Sequence, residues 1–354
     1  MDKSLLYKSA VELLKQLIAT PSFSKEEDNT AIILEQFFND QKIPFNRFLN
    51  NVWATNQYFD SSKPSILLNS HLDTVRPNKE YTVDPFMPAV LDGKLFGLGS
   101  NDAGGCLVSL LATFVYFYSQ QNLQYNIVFA ASAEEEISGK NGIEALLPHL
   151  PLIDFGIVGE PTLCEMAVAE RGLMVLDAST LGIAGHAARN EGDNAIYKAM
   201  NDIKWISTYR FDKVSELLGE VKMTVTSFQT ENKQHNVVPS SANFVIDIRV
   251  NELYSFENII SVIKENIVST ITPRSTRLRS TFISLEHPIV KAGIALGRSY
   301  YGSPTTSDKA LMPFSTLKIG PGDSARSHTA NEFIYLQEIE QGIDLYIDLL
   351  KNIL

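Results

Sequence analysis

The sequence predicts an α/β protein with a mostly parallel sheet, interrupted by a second, smaller α+β block. Three observations lead there. Short apolar, β-favouring runs alternate with segments of helical periodicity in the N-terminal half. That alternation stops near Arg171, gives way to strand-like runs of an antiparallel sheet, and resumes after about Phe282. A chain of 354 residues also exceeds what one ordinary core holds. The expected layout is one domain from residues 1–168 and 282–354, with residues 169–281 inserted as the second.

Taken in order, residues 5–18 carry apolar side chains at helical spacing, and Thr20-Pro21-Ser22 ends that helix. A second helix is expected over residues 26–41, with Ile32, Ile33, Phe37 and Phe38 on its buried side. Strands follow over 52–59 and 65–70, the latter delivering His71-Leu72-Asp73-Thr74 at its C-terminal end. Gly97-Leu98-Gly99-Ser100-Asn101-Asp102-Ala103-Gly104-Gly105 then opens a helix over 106–118. This loop is only superficially a dinucleotide-binding one, because Asp102 occupies the third glycine's place and would repel a pyrophosphate. By itself an aspartate at a helix start is an ordinary cap.

Residues 127–136 read as a buried strand that ends in Glu134-Glu135-Glu136. Three adjacent carboxylates at the edge of a core repel one another and resist desolvation, so positive charge should sit beside them. A short helix near 142–147 and a strand over 153–158 follow, closing with Gly159-Glu160-Pro161-Thr162. In the inserted block, residues 173–180, 222–228 and 244–250 read as strands, and 194–209 and 256–268 as helices. A helix over 288–300, a strand over 316–319, Gly320-Pro321-Gly322, Arg326-Ser327-His328 and a C-terminal helix from about Tyr335 complete the chain.

Composition narrows the function. The net charge of −11 argues against a nucleic-acid partner. The longest lipid-like run, residues 107–118, is too short to span a bilayer, so no membrane association is expected. The N-terminus lacks a secretory apolar core, and the two cysteines, Cys106 and Cys164, offer no disulfide framework. A cytoplasmic location is the expectation. With no Gly-x-Ser-x-Gly elbow, a serine hydrolase is disfavoured.

In parallel sheets, ligands gather beyond the C-terminal strand ends. His71, the glutamate run and Glu160 all fall there. Adding Asp73, Asp102 and His328 gives two imidazoles and several carboxylates, a set that suits zinc. Two nearby zinc ions need more negative charge than one, and a bridging carboxylate such as Asp102 would lessen their repulsion. His149 and His287 lie in no such cluster and read as ordinary surface or core histidines.

The order and spacing of these segments resemble the co-catalytic zinc peptidases and deacylases, in the branch of acetylornithine deacetylase and succinyl-diaminopimelate desuccinylase. The resemblance covers nearly the whole chain. It implies two Zn2+ ions per subunit, with Co2+ as a possible substitute, held by His71, Asp102, Glu136, Glu160 and His328. It implies Asp73 as the residue that orients His71, Glu135 as general base, and Glu134 outside the metal shell. Gly185-His186-Ala187 resembles the lid histidine that reaches the partner subunit's site in a homodimer formed through the inserted lid domain. Asn236, Arg249 and Thr306 lie in segments that resemble substrate-binding ones, Arg249 fitting a salt bridge within its strand equally well. Arg326, two residues before His328, could contact a substrate's acyl or side-chain group. One departure is Gly104, where a lysine is common.

The length and the Gly-Glu-Pro-Thr segment look more like the acetylornithine deacetylase branch. Fewer glycines near Thr305 than in the desuccinylases put desuccinylation second. The expected reaction is deacylation of an N-acyl-amino acid, N-acetyl- or N-succinyl-ornithine or citrulline, in arginine biosynthesis. The alternatives are succinyl-diaminopimelate desuccinylation or a dipeptidase or aminopeptidase activity. A non-catalytic small-molecule-binding relative is a distant further reading, since such a module has no evident use for a retained base.

Overall fold

A computed structural model describes residues 3–189 and 191–354. The chain divides into two compact units. One comprises the described residues up to Val168, with Phe282–Tyr301 and Ser307–Leu354; the other comprises Ala169–Thr281 and Gly302–Thr306.

The first unit is built on a sheet in which Asn46–Phe48, Asn51–Thr55, Asn126–Ser132, Ser65–His71, Phe155–Val158 and Ser315–Lys318 lie side by side in that order. The three central pairings, among Asn126–Ser132, Ser65–His71, Phe155–Val158 and Ser315–Lys318, are parallel, and the two at the Asn46–Phe48 edge are antiparallel. Both Ser65–His71 and Asn126–Ser132 are buried along their whole length, which is why they read as continuous rather than alternating apolar runs.

Helices cover both faces of this sheet. On one side, Phe129 packs against Phe38 and Phe114, with ring centroids 6.0 and 5.9 Å away. Phe114 belongs to the helix Gly105–Phe117, apolar all round and accordingly buried, with the helices Lys3–Ile18 and Leu336–Lys351 against it. On the other side, Leu67, Val128 and Ala130 meet Ile143, Leu146 and Met312. Truncating Leu67 to alanine in this packing should cost about 2–5 kcal/mol.

The second unit has an antiparallel sheet in the order Lys222–Gln229, Ser241–Val250, Gly172–Leu181, Thr270–Pro273. Its inward residues, among them Met174, Leu176, Phe244, Ile246 and Ile248, share one core with Phe256, Ile259 and Ile263 of the helix Phe256–Asn266 and Ala199 and Ile206 of Ala195–Thr208. Asn194 and Ser255 cap those helices by accepting the N–H of Ile196 and Asn258. The α/β class with a mostly parallel sheet and an α+β insert is therefore the one observed.

Several boundaries differ from the sequence expectation. The helix expected over 288–300 ends at Ala295, because Gly297 adopts a left-handed φ of 76° and the chain turns into the strand Tyr300–Ser303. The strand expected over 127–136 stops at Ser132. The short strands Asn46–Phe48, Ala89–Leu91, Lys94–Phe96, Met166–Glu170 and Phe333–Tyr335 were not expected. Three to five residues carry too little periodicity to register against surrounding loop residues.

Candidate metal centre

Three parallel strands end on one edge of the sheet, and their last residues and following turns supply the site. His71 is the final residue of its strand. Glu135 and Glu136 sit in the one-turn segment Glu135–Ile137 beyond Ser132, and Glu160 follows Phe155–Val158. Asp102 comes from the turn before the helix Gly105–Phe117, and the Asp102–Ala103 peptide is cis. His328 arrives on a loop, with φ of 59°.

His71 Nδ1 donates to the backbone oxygen of Asp73 at 2.9 Å, which turns Nε2 toward the cluster. Nε2 is 3.3 Å from Asp102 Oδ1 and 4.0 Å from both Glu135 Oε2 and Glu160 Oε1. His328 Nε2 lies 3.0 Å from Glu136 Oε2 and 3.8 Å from Asp102 Oδ2. The two oxygens of Asp102 thus face different imidazoles. Ligand atoms of His71, Asp102 and Glu136 lie within 4.8 Å of one another, as do those of His71, Glu135 and Glu160.

The charges here are strained by burial. Burial drives the Glu135 carboxyl well above the ordinary range, reinforced by Glu160, Asp308 and Glu136, with His71 opposing. Burial works against the His71 imidazolium, but the hydrogen bonds it donates to Asp102 and Asp73 outweigh that and raise its pKa well above normal. The bond to Glu136, with Asp102 nearby, lifts His328 to about 9. A site that drives one of its carboxyls up in this way while drawing two imidazoles toward the protonated form is short of positive charge. Its nitrogen and oxygen donors fit one or more divalent metal ions.

Buried carboxylates hold the turns from behind. Asp73 accepts Ser24 Oγ at 2.6 Å and the backbone N–H groups of Glu135 and Glu136 at 3.0 and 3.2 Å. Glu27 accepts the N–H of Glu134 at 3.1 Å. Glu134 itself, at a left-handed φ of 54°, points its carboxylate at Asn141 Nδ2, 2.8 Å away. The three glutamates therefore separate through a turn, beyond the end of the strand expected to carry them. Ser24 and Glu27 were missed as site residues. Both stand just before the second helix, where a serine and a glutamate are ordinary residues and carry no signal of a distant partner.

The remaining expected residues are placed as follows. His186 lies exposed in the second unit, on the two-residue strand Gly185–His186 paired with Val237–Val238. In the same unit Asn236 accepts the N–H of Ala187 through its backbone oxygen, Arg249 pairs with Asp247 at 2.9 Å, and Thr306 Oγ1 donates to the oxygen of Arg171. Arg326 spends its guanidinium on a two-pronged pair with Glu338, at 2.9 and 2.5 Å, instead of presenting it to the metal centre. Gly104 cannot carry a side chain, since a Cβ would stand 2.4 Å from the Gly99 oxygen. His149 stacks on Phe48 and His287 caps the helix Pro288–Ala295, which accounts for both.

The model of peptidase family M20/M25/M40 matches residues 67–352. The chain belongs to that family. It is a metal-dependent hydrolase of linear amides, and its ligand-type residues span the matched region. Among similar curated proteins, succinyl-diaminopimelate desuccinylase of Wolbachia pipientis subsp. Culex pipiens is 27% identical, covering 97% of this chain and 92% of that protein. The protein of the same name from Rickettsia felis is 24% identical, covering 97% and 100%. Among solved structures, the aminopeptidase PepT from Bacillus cereus has a TM-score of 0.78 at 18% identity, covering 98% of both chains. A Bacillus subtilis protein described as a dinuclear metal-binding peptidase of this family has a TM-score of 0.71 at 14% identity, covering 98% of both chains. Both structural likenesses concern the fold. No described helix is long and apolar enough to cross a membrane.

Proposed function

We propose that the protein is a two-zinc deacylase removing a succinyl group from an N-succinyl diamino-dicarboxylic acid of the diaminopimelate type. One observation carries the two-metal reading: Asp102 directs Oδ1 to His71 and Oδ2 to His328. In this reading His71 and Glu160 would hold one ion and Glu136 and His328 the other, with Asp102 shared between the two groups. Divalent ions held there supply the Lewis acidity that polarises an amide carbonyl and makes water acidic near neutral pH.

The chain's own residues do the rest. Burial keeps the Glu135 carboxyl basic enough to take the proton of the attacking water and return it to the leaving amine. Asp73 keeps His71 in one tautomer and holds the Glu135–Glu136 turn through two N–H groups. His186 serves as an added donor to the developing oxyanion, contributed by the partner of a homodimer through the inserted unit. Asn236, Arg249 and Thr306 bind substrate, Arg249 by exchanging Asp247 for a substrate carboxylate. Cys106 and Cys164 are free and buried, in keeping with the cytoplasmic location we assign.

The acyl group rests on the relatives. N-acetylornithine, with its arginine-biosynthetic role, was first on the sequence and desuccinylation second; the desuccinylase relatives, covering 97% of this chain, support the reverse order. Peptide hydrolysis is third. The test is a panel on metal-loaded protein: N-succinyl-diaminopimelate, N-acetyl- and N-succinyl-ornithine and -citrulline, and free-amine di- and tripeptides. Fastest turnover is expected on the first. Turnover confined to free-amine peptides overturns the deacylase reading.

A further inference from the structure

We infer that Glu332 is a positioning residue of the metal centre, fixing where the Asp102 carboxylate stands and thereby setting metal affinity. The inference rests on the two-metal reading above. Glu332 is 2% exposed and touches no imidazole in the geometry described; its partners are backbone groups of the turn that carries Asp102. Its Oε1 accepts the N–H of Asn101 at 2.8 Å and of Asp102 at 2.9 Å, and its Oε2 accepts that of Gly99 at 3.1 Å. Its backbone oxygen accepts a fourth N–H, from Gly97 at 3.0 Å. One residue thus receives four donors within a six-residue stretch, 97–102, that ends at the proposed bridge.

The anchor is itself fixed. The next residue begins the strand Phe333–Tyr335, which pairs in register with Lys94–Phe96, so the residues flanking the turn on one side and Glu332 on the other belong to one ladder. The same anchor reaches His328. Asn101 donates from Nδ2 to the Asp323 oxygen and accepts the Asp323 N–H, both at 3.0 Å, which ties the turn to the start of the loop that carries His328 to Glu332. Asp102 and His328, which stand 3.8 Å apart, therefore share one support. Gly99 allows it. Its φ is 74° and an added Cβ would stand 2.5 Å from Thr74 Cγ2, so a non-glycine residue would not bring this N–H to Glu332 without displacing the turn.

A carboxylate merely filling a polar pocket would affect stability alone. A positioning carboxylate acts through reach, which separates variants that a charge argument would rank the other way. Glu332→Gln has the right length and keeps an acceptor for Asn101 and Asp102, losing only the Gly99 bond. Glu332→Asp keeps the charge but falls one methylene short of all three donors. The test is competitive titration of metal-stripped protein with Co(II) against a chromophoric chelator, with melting temperature and kcat and KM recorded alongside. Expected are about a 10-fold loss of Co(II) affinity for Glu332→Gln and about 100-fold for Glu332→Asp, with kcat falling more than KM rises. Wild-type affinity in a folded Glu332→Gln and Glu332→Asp, or an affinity better preserved by Asp than by Gln, overturns the inference. Wild-type protein that binds no Co(II) fails the two-metal reading itself, a result distinct from either.

Discussion

Three adjacent glutamates offer a test with a built-in control. Glutamine in place of Glu134, Glu135 or Glu136 changes size hardly at all, so each variant reports the loss of one charge and one acceptor. For Glu134 the structure leaves little at stake. Its Oε1 accepts Asn141 Nδ2 at 2.8 Å and its Oε2 accepts the Asn141 N–H at 3.3 Å, and a glutamine retains the better of these. The expected cost is about 1 kcal/mol or less in stability, with kcat/KM within a few-fold of wild type. For Glu135 the loss is the proton acceptor, about 100- to 10,000-fold in kcat, equivalent to about 3–5 kcal/mol of transition-state stabilisation. Metal content and melting temperature should be unchanged there. For Glu136, whose Oε2 lies 3.0 Å from His328 Nε2, the loss is a ligand, so metal content should fall together with activity. Steady-state kinetics, elemental analysis of bound metal and thermal melting on all three variants separate these outcomes. If Glu134→Gln proves as inactive as Glu135→Gln in a folded protein, the assignment is shifted by one residue and the reasoning fails.

Two further predictions follow from the same geometry. Stripping the metal with a chelator should abolish turnover and lower the melting temperature, because Asp102, Glu135, Glu136 and Glu160 are then left facing one another without a counter-charge; zinc or cobalt should restore both. A stripped protein that keeps full activity would contradict metal dependence. Arg326→Ala should act on stability, by about 1–3 kcal/mol, and leave KM unchanged, since the guanidinium is committed to Glu338 and stacked on Phe333. A raised KM at unchanged stability would return Arg326 to the substrate.

Much of this molecule was already present in its local sequence. The alternation of strands and helices, the change of texture near Arg171 and its reversal near Phe282 depend on periodicity within windows of a dozen residues, which side-chain chemistry alone imposes. Most of the candidate ligands could be listed for a related reason: all but His328 stand just after an apolar strand or before an apolar helix, where a polar residue is conspicuous. What the tertiary structure decided is what each of those side chains is held by. Glu134 leaves the cluster because a left-handed turn rotates it toward Asn141, and nothing within the run Glu134-Glu135-Glu136 distinguishes it from its neighbours. Arg326 belongs to Glu338, and the turn carrying Asp102 hangs on Glu332, 230 residues away along the chain. Such pairings depend on how elements distant in sequence are brought together by the burial of their apolar faces. A buried carboxylate is satisfied by whichever donors that packing delivers, and no local pattern encodes which donors those will be.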